Sequence, residues 1–424
     1  MKNLLPDFIL ENYKNNVFEG KMNAFTIFSD ISGFTPMTEK LMEKGNEGAE
    51  ILSEILKKVF KPTVKCVYNS GGFITNFAGD SFTSLIPLNT GLKNTNGYPE
   101  NAICCANNIL SEIKNLSSVK TGFGVVDLKV RIGMSVGNVE WGIIGREFKS
   151  FYFRGEAIND CAEAQQKTAV NEILFHNNIV FLLKNKNIRL SRKGNYYFLR
   201  DHSLIQEKSS PQRVIQTSNL TKQIFSKNFI PETVFAVKEE GEFREVASVF
   251  ISFDPGLSKD IIEGLFSNII AGVNHYSGYL KDIDFGDKGG VIVCYFGAPV
   301  SNEDDAQRAI SFVKFLKKNL SADEALKDIK LKIGVTYGKV YTGFIGSDER
   351  VQYSVLGNLV NLCARFMSKA GWDEVWINED TYRRMRNKND FISSGCFPFK
   401  GFNNEISVYK YINKSGKQTK ISNN

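Results

Sequence analysis

The constraint that bears hardest on this chain is that it repeats itself. VRIGMSVGNVEWGIIG, from Val130 to Gly145, aligns without a gap on LKIGVTYGKVYTGFIG, from Leu331 to Gly346. RGEAINDCAEA, from Arg154 to Ala164, answers LGNLVNLCARF, from Leu356 to Phe366, after a one-residue slip that sets Gly155 opposite Gly357. SGGFITNFAGD, ending at Asp80, pairs with SGYLKDIDFGD, ending at Asp287. Glycines shared at turn positions and a shared strand pattern require two copies of one fold. Two copies in one chain predict pseudo-two-fold packing, with a ligand cleft where they meet.

The order of patterns inside a copy sets its class. Phe25 to Phe28 reads as a buried strand, and Met37 to Tyr68 carries Leu41, Leu52, Ile55, Leu56, Val59 and Phe60 at helical spacing, predicting one long or two consecutive helices. A hairpin follows from Gly71 to Asp80, then a helix from Ala102 to Ile113. Leu128 to Val136 reads as a strand that pairs with Val139 to Gly145 across a Gly137-Asn138 turn, followed by a helix over Ala157 to Thr168 and a strand over Glu172 to Phe175. That order predicts an α+β sandwich, with helices against one antiparallel sheet. The expected organisation is a polar lead-in (1–19), a first domain (20–190), a connector (191–240), a second domain (241–412) and a polar tail (413–424).

Composition excludes several classes. The net charge of +7 includes Lys414, Lys417 and Lys420 of the tail, and no basic stretch interleaved with stacking aromatics supplies a nucleic-acid surface. The seven cysteines are odd in number and lack CxxC spacing, which predicts reduced thiols in or near cores. His176, His202 and His275 lie far apart, so neither a zinc cluster nor a His-based triad is expected. No apolar run approaches a membrane span and the N-terminus lacks a signal-peptide pattern; a soluble cytoplasmic protein is the expectation.

The chemistry concentrates in FTIFSDISGFT, from Phe25 to Thr35, and FAGDSF, from Phe77 to Phe82. The first reads as a strand ending in Asp30, a tight turn over Ile31, Ser32, Gly33 and Phe34, and a helix with Thr35 as N-cap and Pro36 at N1. Backbone N–H groups at such a helix start suit phosphate, and the carboxylate suits a hard divalent cation. Asp80, on the hairpin, could join Asp30 on an adjacent strand end. Alone, each acid is an ordinary strand-to-turn residue. In the second copy Asn361 and Arg365 stand four apart, hence on one helical face, where an Asn can orient a ribose and an Arg can stabilise charge on a triphosphate.

DISGFT, FAGD and QYSVLGNLVNLCARFM (Gln352 to Met367) together resemble tandem catalytic domains of the class III nucleotide cyclases, closest to the soluble, bicarbonate-responsive adenylyl cyclase type and its bacterial relatives. The resemblance implies two ferredoxin-like cyclase domains in an intramolecular pseudo-two-fold heterodimer, with a monomer expected in solution, ATP as substrate, guanylyl cyclase or a degenerate nucleotide-binding regulator as alternatives, and two Mg2+ or Mn2+ ions. It implies metal ligation by Asp30, Asp80 and the Ile31 carbonyl, catalytic roles for Asn361 and Arg365, and nucleotide contacts from Ile31, Ser32, Gly33, Phe34 and Thr35. The mirrored site departs from the pattern: Glu163 stands in the place of Arg365 although Asn159 survives, and Ser252 falls opposite Asp30.

Other departures concern specificity. ATP-using relatives place a purine-contacting Lys where this chain has Asp282 or Ile283, and the nearest lysine is Lys281. The partner position is Ser354, whose hydroxyl both donates and accepts. Asp282 is either a solvated hairpin acid or an acceptor for the base. The two cations implied for bicarbonate binding are Asn76 and Ala162 here, and Phe402 takes the place of a phosphate-binding Lys, leaving Lys400 as a substitute.

Overall fold

The computed structural model describes residues 2–88, 99–116, 119–121, 124–183, 190–199, 224–286, 289–402 and 404–412. Asp287 and the tail lysines lie outside them. Two eight-stranded sheets hold all but two of the strands among the described residues, and they have the same topology.

The first sheet is built on β1 (Glu19–Ser32), which pairs antiparallel with β3 (Ser81–Pro87) on one edge and with β6 (Lys129–Ile144) on the other. Its order is β2-β3-β1-β6-β8-β10-β9, where β2 is Phe73–Ala78, β8 Glu172–His176, β9 Leu190–Lys193 and β10 Tyr196–Leu199; β7 (Ser150–Arg154) pairs the far end of β6. A separate two-stranded pair, β4 (Val119–Thr121) and β5 (Gly124–Val126), stands apart from it. The second sheet runs β12-β13-β11-β14-β16-β18-β17, with β15 off β14. Here β11 is Glu242–Phe253, β12 Tyr279–Gly286, β13 Gly289–Phe296, β14 Lys332–Gly346, β15 Val351–Leu356, β16 Val375–Asn378, β17 Phe391–Phe397 and β18 Ile406–Tyr411. In each sheet one neighbour of the repeat strand is parallel, β6 with β8 and β14 with β16, so the expected purely antiparallel sheet is mixed.

Helices cover the apolar faces. α1 (Asp7–Lys14), α2 (Phe34–Met42), α3 (Gly45–Asn69), α4 (Pro99–Asn115), α5 (Glu156–Gln166), α6 (Asn177–Leu183) and α7 (Glu232–Phe235) accompany the first sheet. α8 (Lys259–His275), α9 (Asp305–Ala322) and α10 (Asn358–Lys369) follow in the second half. Along α3, Leu52, Ile55, Leu56, Val59, Phe60 and Val64 are buried at the three-and-four spacing that an amphipathic helix needs, against β-strand residues Phe25, Ile27 and Phe82. The repeated Gly explains how α5 and α10 lie so close to their strands. A Cβ on Gly133 would fall 2.0 Å from the Cys161 carbonyl oxygen, and one on Gly334 would fall 2.3 Å from that of Cys363.

Several expectations change. The chain from 34 to 69 forms two consecutive helices, the second of the two expected arrangements. Gly137 and Asn138 do not turn: β6 is continuous, because β1 pairs with it from Ser32↔Lys129 to Glu19↔Gly142 and holds both residues extended. The lead-in is part of the fold, since Leu4, Leu5, Ile9 and Leu10 are buried and the last three join a core with Trp141 and Phe153. The GNYYFL stretch, read as connector, supplies β10 of the first sheet. All seven cysteines are free, and Cys396 is exposed rather than near a core.

The chain divides into two compact units whose borders ignore the repeat. The first comprises 1–243 together with 281–290 and 341–357; the second comprises 244–280, 291–340 and 358–424. Tyr341, Ile345 and Leu356, from the second repeat, are accordingly buried in the core of Phe25, Phe60 and Phe77.

Two outcomes follow. Gly133→Ala drives a methyl into backbone and is expected to destabilise by about 1–3 kcal/mol in urea unfolding. Glu374, in the second unit, accepts from Lys410 Nζ at 2.7 Å, Gly371 N at 2.9 Å and Trp376 Nε1 at 2.8 Å. Burial alone would raise its pKa, but these donors outweigh it and hold the carboxyl at about 2, below its ordinary 4.5. Its stabilisation is therefore complete above about pH 4.5 and drains away as pH falls toward 2. Melting of Glu374→Gln should begin at lower temperature than the parent at pH 7, and the difference should vanish near pH 2.

Candidate active site

Asp30 and Asp80 reach neighbouring backbone positions through strand pairing. Asp30 lies opposite Ser81 in the β1–β3 ladder, and Ile31 N donates to the Asp80 carbonyl at 3.1 Å. The hairpin turn between β2 and β3 is Gly79-Asp80, with Gly79 at φ +70, so the acid sits where the chain reverses. Both acids are partly exposed while the flanking Ile31, Phe77 and Phe82 are buried. On the other edge of β1, Asp30 faces Arg131; Arg131 Nη1 lies 3.9 Å from its Oδ2, which also accepts from Gln165 Nε2 at 3.1 Å. Neither Arg131 nor Gln165 was anticipated. Arg131 could have been found by counting register from the repeat, whereas nothing local signals Gln165.

The helix start differs from expectation. Ile31 and Ser32 remain in β1, opposite Val130 and Lys129, and α2 begins at Phe34 with Gly33 as its N-cap. Gly33 has φ +115 and no room for a side chain, a Cβ meeting the Asp127 carbonyl oxygen at 2.8 Å. Thr35 is therefore the second helical residue and Pro36 the third, because the strand runs longer than its apolar core and only glycine permits so abrupt a change of direction. Among the described residues no group of three or more His, Cys, Asp or Glu side chains gathers as a metal cluster. Asp30, Asp80 and the Ile31 carbonyl form a set of hard oxygen donors, which fits Mg2+ or Mn2+ by its chemistry.

The residues expected at the base form a cluster in the same compact unit. Lys281 Nζ donates to the Phe77 carbonyl at 2.6 Å and to Asp282 Oδ2 at 2.5 Å. Gln352 Oε1 accepts from Phe77 N at 2.9 Å while its Nε2 lies 3.3 Å from Asp282 Oδ2. Asp282 is not a solvated hairpin acid, for its side chain is 12% exposed and that of Lys281 4%. Ser354 is buried, lies opposite Gly343 in the β14–β15 ladder, and its Oγ has no hydrogen-bond partner among the described residues. A buried hydroxyl without a partner costs folding free energy.

In the second unit, Asn361 and Arg365 are half-buried in α10, whose other face, with Leu362, Cys363, Phe366 and Met367, is buried. The helix also meets the Lys400-Gly401 turn: Arg365 Nη1 donates to the Lys400 carbonyl and Asn358 Nδ2 to that of Gly401 at 2.9 Å. Lys400 and Arg365 are thus brought together. Burial pushes the Arg365 guanidinium below its ordinary pKa. Phe402 packs on a small apolar cluster with Phe366 and Phe399 instead of presenting a cation.

The sequence profile described as "Adenylate and Guanylate cyclase catalytic domain" matches residues 18–209 and 288–413. The chain belongs to that family. Mouse "Adenylate cyclase type 10" is 25% identical over 85% of this chain, and the human protein of the same name is 25% identical over 86%. The chain spans about a quarter of the length of these relatives, 24% and 25% respectively. A solved "Class III adenylyl cyclase-like ATP-binding protein" from Pseudomonas aeruginosa superposes with a TM-score of 0.57 at 13% identity, covering 86% of this chain and 85% of that one, and shows a shared tandem cyclase fold.

This cyclase chain keeps its mirrored positions for other uses. Glu163 accepts from Tyr196 Oη at 2.7 Å and pairs with Lys167, and Ser252 is buried in β11. No helix among the described residues is long and apolar enough to cross a membrane.

Lys281 and Asp282 give a direct test of the base-side cluster. Lys281→Met leaves a nearly buried carboxylate without its cation and is expected to lower unfolding free energy by about 3 kcal/mol in urea titration, with Asp282→Asn added in the same chain restoring part of the loss.

Proposed function

We propose that this chain is a purine nucleotide cyclase, with ATP favoured over GTP, converting the triphosphate to the 3′,5′-cyclic monophosphate and pyrophosphate. The observation that carries the reading is the backbone link between Ile31 and Asp80, which puts two carboxylates of a cyclase-family chain on adjoining strand ends. Asp30, Asp80 and the Ile31 carbonyl would hold two Mg2+ or Mn2+ ions, which, when bound, lower the pKa of the ribose 3′-hydroxyl and neutralise the phosphates.

The chain's own residues have separate tasks. Main-chain N–H groups from Gly33 to Thr35, at the start of α2, face the phosphates. Asn361 orients the ribose so that its 3′-oxygen lies in line with the α-phosphorus. The 3′-hydroxyl gives up its proton, its oxygen forms a bond to the α-phosphorus, and the bond from that phosphorus to the bridging oxygen breaks, releasing pyrophosphate. Arg365, with Lys400 beside it, stabilises the charge that grows on the phosphates during this displacement. Ser354 and the Lys281–Asp282 pair contact the base. Support for ATP comes from the overall likeness to the adenylate cyclase type 10 proteins.

Turnover of Arg365→Ala with ATP and Mn2+ is expected to fall about a hundredfold or more, because a preorganised charge is removed. Near-full cyclic nucleotide production by this variant would refute the assignment. A second reading, nucleotide held without turnover, is favoured by the engagement of Lys281 with the Phe77 carbonyl and by Phe402 in place of a lysine. The Pseudomonas aeruginosa protein of like fold is described as an ATP-binding protein. Tight binding of ATP and GTP with no cyclic product from either would establish that reading over the first.

A further inference from the structure

The first compact unit contains a cavity of about 890 Å3 that none of the candidate site residues lines. Its walls come from four places: Lys2 and Asn3 ahead of α1, Lys57 and Lys61 on one face of α3, the segment around α7, and the β14–β15 hairpin from Phe344 to Val351. The volume is that of a small-molecule site.

The lining has one chemical bias. Four lysines, Lys2, Lys57, Lys61 and Lys227, stand against three acids, Glu232, Glu239 and Asp348. Only Lys227 is closely paired, to Glu232 at 3.1 Å. Lys57 is 4.0 Å from Glu239 and Lys61 is 3.8 Å from Asp348, the outer limit of ion pairing, and both acids are largely exposed. Lys2 is held in place rather than solvated: its Nζ donates to the Val237 carbonyl at 2.8 Å and sits 3.7 Å above the centre of the Phe344 ring. Burial lowers its pKa, with Glu239 opposing, so an anion arriving nearby would be welcome to it. Phe235, Ala236 and Val351 add an apolar wall. Finally, Asn3 is fixed by donating Nδ2 to the Glu349 carbonyl, while its buried Oδ1 has no hydrogen-bond partner among the described residues. That acceptor is closed off from solvent, so the cavity's chemistry is set by its lysines and its apolar wall.

We propose that this cavity is a binding site for a small organic anion with an apolar ring: the anionic group among Lys2, Lys57 and Lys61, and the ring against Phe235 and Val351. The site is independent of the cyclase reading, and its test does not use turnover.

The probe is 8-anilinonaphthalene-1-sulfonate, which combines a sulfonate, aromatic rings and an N–H, titrated by fluorescence into the full chain. N-phenyl-1-naphthylamine, the same body without the sulfonate, serves as comparison. The expected result is saturable binding of the sulfonate at one site, at least tenfold tighter than the neutral compound. The double variant Lys57→Gln, Lys61→Gln changes only exposed side chains, so its fold is safe; it should weaken the sulfonate at least fivefold and leave the neutral compound unchanged. Ala236→Trp, which fills the cavity, should abolish binding of both. Equal affinity for the two probes, or sulfonate affinity within twofold of the parent in the double variant or in Ala236→Trp, would overturn the proposal.

Discussion

The backbone pairing of β1 on both edges is the constraint on which the first half of this structure depends. A strand of 14 residues, hydrogen-bonded to β3 on one side and to β6 on the other, fixes the position of Asp30 against two neighbours at once. Ser81 opposite Asp30 on one edge brings the Gly79-Asp80 turn alongside; Arg131 on the other brings a cation. Register in a sheet with a buried face is strongly specified, since a one-residue slip would turn Phe25 and Ile27 out of the core. The location of the acids is thus a by-product of core packing.

The same logic governs the second half, though with a different distribution of parts. β14 is the counterpart of β6, and its glycine at 334 admits α10 as Gly133 admits α5. Yet the far end of β14, all of β15 and the turn end of β12 belong to the compact unit of the first repeat. Gln352 bonds the main chain of Phe77, two residues before Gly79, and Lys281 bonds the carbonyl of the same residue. Lys281, Asp282, Ser354, Asp30 and Asp80 are in this way carried by one body, while Asn361, Arg365 and Lys400 are carried by the other.

Much of this was legible in the residues. The gapless match of Val130–Gly145 to Leu331–Gly346 announced two copies, and the two sheets have identical order. The motifs around Asp30, Asp80 and Asn361 pointed to the cyclase family, which the profile match establishes. The presence of α4 and α5, though not their end residues, and the β2–β3 hairpin followed from periodicity and glycine. The failures share a cause. Gly137-Asn138 reads as a turn, and Thr35-Pro36 reads as a helix start, when only neighbours in sequence are weighed. The strand beside each pair overrode those local preferences.

What the sequence determined by itself was the repeat, the α+β class and the family, because all of these are written in order and spacing along one dimension. Tertiary structure alone decided that Lys281 is spent on Asp282 and a backbone carbonyl, that Ser354 is buried without a partner among the described residues, that Arg131 and Gln165 attend Asp30, and that a lysine-lined cavity opens beside α3. The reason is physical: each depends on which groups far apart in the chain are desolvated together, and desolvation is a property of packing that spacing does not record.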